Sequence, residues 1–189
     1  MHILLLGGVG SGKSTVLHIL QKKYQALVLE ADKMAHVLYQ RGERGYEALV
    51  QLYGEGILNP QGEIDRGKLG DILYRDPKEM QRVNGLIHPM VEEEIQRELK
   101  KHPGELVVVE QAPLPSCREW FDQIWYLHTG DQIRMERLMK NRGYTRERTL
   151  EIFQNQPDMK AYKEAADLVL ENNSDEKSLE EEIQRALGR

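Results

Sequence analysis

Residues 7–14 read Gly7-Gly8-Val9-Gly10-Ser11-Gly12-Lys13-Ser14. This is the pattern G-x-x-x-x-G-K-[ST], in which glycines let the backbone curl until several N–H groups converge on one anion. An apolar run from Ile3 to Leu6 precedes it, and a helical pattern through Thr15, Val16, Ile19 and Leu20 follows. Strand, glycine loop and helix in that order separate a working phosphate loop from a flexible glycine turn. The start of the helix adds a potential that favours negative charge. The chemistry expected is binding of nucleotide phosphates, as in ATP, by Gly8, Val9, Gly10, Ser11, Gly12, Lys13, Ser14 and Thr15. Lys13 is placed to reach the outer phosphates and the Ser14 hydroxyl to hold Mg²⁺.

Two further polar signals follow apolar runs: Glu30-Ala31-Asp32 and Glu110-Gln111. Glu110 reads either as a group in the outer shell of a metal or as a solvated strand terminus. A basic region comprises Arg134, Arg137, Lys140, Arg142, Arg146 and Arg148 around Gly143. It reads as a solvated helix face, or as a lid whose guanidinium groups close on phosphate oxygens. One helix is predicted to end near Gly143, with Thr145 capping the next.

These groups need a scaffold. Five apolar runs, Ile3–Leu6, Ala26–Leu29, Leu106–Val109, Ile124–Leu127 and Leu168–Leu170, read as buried strands separated by helical patterns. That alternation predicts an α/β fold with a five-stranded parallel sheet flanked by helices. Ligands of such sheets sit beyond the carboxyl ends of the strands, where all three polar signals fall. The gap between the second and third strands is too long for a simple crossover, so an inserted set of helices is expected there. Residues 1–32 and 104–189 are assigned to the nucleotide-binding core, with a lid at about 134–148, and residues 33–103 to the insertion. Val83, Leu86, Ile87, Met90, Val91, Ile95 and Leu99 form a periodic stripe that Pro89 should break or kink near His88. The last helix is expected to start at Ser178-Leu179-Glu180-Glu181, a capping-box pattern. Trp120, Phe121 and Trp125 read as packing residues rather than a platform for bases.

Composition narrows the class. The 189 residues carry a formal net charge of −5, which implies no broad basic surface for nucleic acid. The single cysteine, Cys117, forms no internal disulfide and has no metal-site companions, in keeping with a reducing compartment. No signal peptide is read at the start, and no apolar run approaches the ~18 residues needed to span a bilayer. A soluble, cytoplasmic protein that does not bind membranes is expected, with its oligomeric state open.

Several motifs taken together resemble the dephospho-coenzyme A kinase family over nearly the whole chain. They are Glu30-Ala31-Asp32 after the second strand; Gly62-Glu63-Ile64-Asp65-Arg66 followed by Leu69; and Leu86-Ile87-His88-Pro89-Met90-Val91. Gln156, Ala166-Asp167 and Asn172-Asn173 complete the pattern. The resemblance implies a P-loop kinase core with a helical substrate domain and a lid, using ATP and Mg²⁺. It implies transfer of the ATP γ-phosphoryl group to the ribose 3′-hydroxyl of dephospho-coenzyme A, the last step of coenzyme A synthesis. By position, Asp32 matches the catalytic carboxylate, Lys13 and Ser14 the phosphate-loop pair, and Arg137 a lid arginine. His88, Asp65 and Arg66 fall in the segments facing the acceptor. Asp32 also reads as a cap on a helix starting near Lys33, and His88 as an ordered helix junction.

The chain departs from the family pattern at four places. Glu30 replaces the first Asp, His36 stands for an Arg, Pro113–Cys117 replaces a Pro-Leu-Leu-Phe-Glu loop, and Asn141 occupies the place of a second lid Arg. Two other readings are therefore carried alongside: a diverged kinase for another nucleoside or small alcohol, and a nucleotide-binding regulator with a weakened catalytic site.

Overall fold

The computed structural model describes residues 1–111 and 118–188. The chain divides into two compact units, Met1–Leu29 with His102–Arg189, and Glu30–Lys101. The altered loop at Pro113–Cys117 lies outside the described residues.

The first unit is built on strands β1 (His2–Gly7), β2 (Leu27–Glu30), β3 (Val107–Glu110), β4 (Gln123–His128) and β5 (Leu168–Glu171). They form one parallel sheet in the order β2-β3-β1-β4-β5. The register pairs Ile3 with Val108, Ile3 with Gln123 and Trp125 with Leu168. Each strand sits within two residues of its predicted run.

The runs are unbroken because both sheet faces are covered. Ile3, Leu5, Val108, Trp125, Leu127 and Leu170 point to one face. They pack there with Val16, Ile19 and Leu20 of α1 (Lys13–Tyr24) and Leu179 and Ile183. On the other face lie Leu4, Leu6, Val107, Val109 and Ile124, all buried.

Trp125 and Phe121 are core residues, as their sequence context predicts. The last helix starts earlier than expected. Its N-cap is Asp175, whose carboxylate accepts from the Ser178 N–H at 2.8 Å and the Ser178 hydroxyl at 2.9 Å. Ser178 thus reports the cap without forming it, because a carboxylate three residues upstream outcompetes its hydroxyl for the free N–H groups.

The Ala166-Asp167 motif also has a local explanation. Asp167 Oδ2 accepts from the Ile124 N–H at 2.7 Å and from Arg118 at 2.6 Å, tying the start of β4 to the start of β5. The Ile124 N–H and the Arg118 guanidinium hold its carboxyl below the ordinary aspartate value. Such a group stabilises the fold above its unfolded pKa, and the contribution is lost as pH falls through the lower folded value. The side chain is 42% exposed, so screening keeps the effect small. Asp167→Asn should lower the melting temperature at pH 7 by no more than about 2–4 °C. The difference from wild type should shrink as pH drops below the usual aspartate range; a difference that persists in acid would show that the charge is irrelevant.

The second unit holds α2 (Ala31–Leu38), α3 (Arg44–Tyr53), α4 (Arg66–Arg75) and α5 (Pro77–Lys101). Val83, Ile87, Val91, Ile95 and Leu99 form the buried stripe of α5, against which α2, α3 and α4 pack. The predicted break at Pro89 does not occur, and the chain stays helical from Pro77 to Lys101. An interior proline costs ~3 kcal/mol. Burying Ile87 and Val91 on either side contributes about 1.5–3 kcal/mol each, and Pro89 itself faces solvent, so packing wins. Among the described residues, no helix is long and apolar enough to cross a membrane.

Candidate active site

The glycine loop leaves the carboxyl end of β1 and enters α1 at Lys13. Gly10 and Gly12 have φ of +82° and +95°, a region that glycine enters at no steric cost. The Ser11 N–H closes back on the Gly8 carbonyl at 3.1 Å, and the Thr15 N–H on the Gly12 carbonyl at 2.9 Å. Ser14 is exposed in the first turn of α1. Lys13 donates to the Gly7 carbonyl at 2.8 Å and lies 3.3 Å from Glu110 Oε1. Glu110 is thus an ion-pair partner of the loop lysine rather than a solvated strand end; its side chain is only 18% exposed. Nearby, Tyr162 is buried, and burial with the Glu110 charge pushes its phenol up to about 12.

The loop is also held from outside. The Ser11 carbonyl accepts from Asn172 Nδ2 at 2.7 Å, Thr129 Oγ1 at 3.0 Å and Arg137 Nη1 at 3.3 Å. Across a trans peptide the carbonyl and the next N–H point in opposite directions. Drawing the Ser11 carbonyl outward therefore turns the Gly12 N–H inward, where an anion would sit. Asn172 approaches so closely that a Cβ on Gly12 would collide with its amide. Arg137 also donates to the Asn172 carbonyl at 3.1 Å.

Helix α6 (Asp131–Arg142) ends at Gly143, and Thr145 caps α7 (Arg146–Gln154) through the Arg148 N–H at 3.2 Å. Both boundaries agree with the sequence. The basic region is not uniform, however. Arg134 is 5% exposed, whereas Lys140, Arg142 and Arg146 face solvent. Neither a solvated face nor a set of free lid arginines describes Arg134. Arginine is ordinarily exposed, so its burial between Ile133 and Met135 was not legible. Gln156, Thr129 and Asn172 were invisible as loop supports for a different reason: each is far from the loop in the chain.

The remaining candidates lie in the second unit. Asp32 is exposed in the first turn of α2, whose N-cap is Glu30. The capping reading of Asp32 therefore fails, because the helix starts one residue before it. Glu30 is paired with Lys33 at 2.6 Å. Asp32 and Arg66 both act on Tyr39: burial raises its phenol, Arg66 opposes the shift and Asp32 adds to it. No motif or periodicity singles out Tyr39.

Asp65 caps α4, accepting from the Gly67 and Lys68 N–H groups at 2.9 and 3.2 Å. Residues 58–64 form a tight turn in which the Asn59 carboxamide accepts from the Gln61 and Glu63 N–H groups and Leu58 bridges Ile64. Much of the Gly62–Arg66 signature is thus accounted for by a turn and a helix cap. His88 lies half-buried in the middle of α5.

A family model described as dephospho-CoA kinase matches residues 1–178. A dephospho-CoA kinase of Streptococcus pyogenes is 32% identical over 193 residues, covering 99% of this chain and 96% of that protein. One from Geobacillus kaustophilus is 33% identical, covering 89% and 86%. Among solved structures, a Thermus thermophilus crystal structure superposes with a TM-score of 0.81 at 26% identity, covering 100% of this chain and 96% of that one. The dephospho-CoA kinase of Campylobacter jejuni shares the fold at a TM-score of 0.68 and 18% identity, covering 99% and 95%.

Proposed function

The chain belongs to the dephospho-CoA kinase family, and from that premise we propose that it transfers the γ-phosphoryl group of ATP to the ribose 3′-hydroxyl of dephospho-coenzyme A. The observation that carries this reading is the phosphate cradle, Gly8 to Thr15 with Lys13, in a chain matched to the family over residues 1–178.

In the reaction, a bond forms between the 3′-oxygen and the γ-phosphorus. The bond from that phosphorus to the β–γ bridging oxygen breaks, and the electron pair leaves with ADP. The protein's part is to position groups and stabilise charge. Lys13 and the inward N–H groups hold the β- and γ-phosphates. Arg137, at the edge of the loop, contributes positive potential to the transferring group. Asp32 accepts a hydrogen bond from the acceptor hydroxyl and takes its proton late. A carboxylate is far too weak a base to ionise an alcohol beforehand, so orientation is its main contribution.

The donors near Lys13 are hard oxygens, the Ser14 hydroxyl and the Glu110 carboxylate, and they suit Mg²⁺ carried in with the nucleotide. When bound, Mg²⁺ would neutralise phosphate charge. Ser14 is the residue assigned to hold it, and Glu110 would reach it through water.

The domain roles follow. Residues 1–32 and 104–189 bind the nucleotide, and residues 33–103 receive the acceptor, with Arg66 and His88 as contacts. Asp65 acts there by capping α4 beneath Arg66. Residues 134–148 act as the lid, with Lys140, Arg142 and Arg146 among its solvent-facing cations. A cytoplasmic setting agrees with the single cysteine.

The test is a competition. Purified protein receives Mg²⁺–ATP with equal concentrations of dephospho-coenzyme A, adenosine and pantothenate, and products are identified by mass spectrometry. Dephospho-coenzyme A should be phosphorylated in preference, because binding of the pantetheine arm positions the hydroxyl. Preferred phosphorylation of adenosine or pantothenate would contradict the reading.

A further inference from the structure

Arg134 is an arginine buried behind a phosphate loop, and no step of the proposed mechanism uses it. Each nitrogen of its guanidinium donates a hydrogen bond. Nε donates to the Val9 carbonyl at 2.9 Å, Nη2 to Gln156 Oε1 at 2.7 Å and Nη1 to Asp131 Oδ1 at 2.8 Å. Its central carbon lies over the Phe153 ring, 4.2 Å from the centroid, a cation–π contact. Gln156 Oε1 in turn accepts the Val9 N–H at 2.8 Å. The bonds close a circuit: Val9 N–H to Gln156, Arg134 to Gln156, and Arg134 to the Val9 carbonyl. One residue of the loop is gripped by both of its backbone polar groups.

The grip excludes other arrangements. A Cβ on Gly8 would lie 2.5 Å from Arg134 Nη2 and 2.8 Å from Gln156 Oε1, so the guanidinium packs directly on the Gly8 backbone. A Cβ on Gly10 would lie 3.0 Å from the Arg134 carbonyl. Helix α6 therefore forms the back wall of the loop. The Val9 carbonyl points at Arg134, so the trans Val9–Gly10 peptide turns the Gly10 N–H the opposite way. The Ser11 carbonyl, held by Asn172, Thr129 and Arg137, does the same for Gly12.

We infer that Arg134 and Gln156 are positioning residues of the phosphate-donor loop: they clamp Val9 by its carbonyl and its N–H, and so aim the Gly10 N–H at the nucleotide phosphates. The inference rests on the reading of this loop as the ATP-phosphate site. Their role is to position the loop rather than to contact the transferring group. Arg134 opens the segment assigned to the lid and Gln156 follows the end of α7, so the donor geometry of the loop depends on how α6 and α7 are seated.

The experiment measures equilibrium binding of Mg²⁺–ATP, inorganic tripolyphosphate and adenosine to wild type, Arg134→Met, Gln156→Leu and the double variant, with melting curves for each. Because no acceptor is present, the outcome is independent of which alcohol the enzyme phosphorylates. Absence of coenzyme A formation by wild type would defeat the functional reading and leave this test intact.

Loss of one charge-assisted hydrogen bond corresponds to about tenfold or more in affinity. Each single variant should weaken ATP and tripolyphosphate by that factor and leave adenosine binding unchanged. The double variant should lose little more than either single one, since the circuit acts as a unit. In steady state the KM for ATP should rise while that for the acceptor stays within about twofold. A lower melting temperature with unchanged phosphate affinity would overturn the inference, because a merely structural arginine would behave that way. If Arg134→Met does not fold, Gln156→Leu decides alone: unchanged tripolyphosphate binding overturns the clamp, and weakened binding with intact adenosine binding supports it.

Discussion

Lys13→Ala should lower turnover by at least ~10²-fold, the scale of losing one donor aimed at transition-state charge. Lys13 is held by the Gly7 carbonyl and Glu110, both at the carboxyl ends of central strands. A lysine with acceptors on one side and the convergent loop on the other is placed for an anion rather than for packing. The variant removes one ion-pair partner of Glu110, whose side chain is 18% exposed and within reach of water. The stability cost is therefore about 1–2 kcal/mol, too little to unfold a domain of this size. Steady-state kinetics with circular dichroism separates the two effects. Turnover within a few fold of wild type, in a folded protein, would remove Lys13 from the mechanism.

Asp32→Asn should abolish most turnover while leaving ATP affinity and melting temperature nearly unchanged. The structure sharpens this expectation. Helix α2 begins at Ala31 with Glu30 as its N-cap, so Asp32 does not cap it. What remains of a structural role is a favourable charge in the first turn, worth about 0.3–1 kcal/mol. Asn keeps the size and one acceptor oxygen but cannot take a proton. If activity persists in Asp32→Asn, the carboxylate is not the group that orients the hydroxyl. Tyr39, whose phenol is influenced by both Asp32 and Arg66, would then be the next residue to substitute.

The sheet was legible because its signals are local. Five apolar runs, the central three buried on both faces, announce parallel strands, and the glycine loop is contiguous in sequence. Boundaries shifted where two local rules competed. Asp175 won the helix cap from Ser178, and the buried stripe of α5 carried the helix through Pro89.

What was not legible is the support of the loop. Thr129, Arg134 and Arg137 lie more than a hundred residues from the loop carbonyls they hold, as do Gln156 and Asn172 from the loop groups they bind. Only the fold of the sheet, with β1 beside β4, brings β4's end and α6 against the loop. Arg134 in particular is a charged side chain on a charge-rich helix and looks like any solvated position. The Gly62–Arg66 segment shows the converse. Its resemblance to a family pattern was plain, yet the structure accounts for its glycine and aspartate by a turn and a cap before any ligand is considered.

The central claim is transfer from ATP to one particular oxygen. Purified protein should be given dephospho-coenzyme A with Mg²⁺ and ATP carrying ¹⁸O in its terminal phosphoryl group, and the product examined by mass spectrometry and ³¹P NMR. Coenzyme A carrying the labelled phosphoryl group on the 3′-oxygen of the ribose should form in step with ADP. Label on the 2′-oxygen or elsewhere on the acceptor, or ADP release with no phosphorylated acceptor, would contradict it.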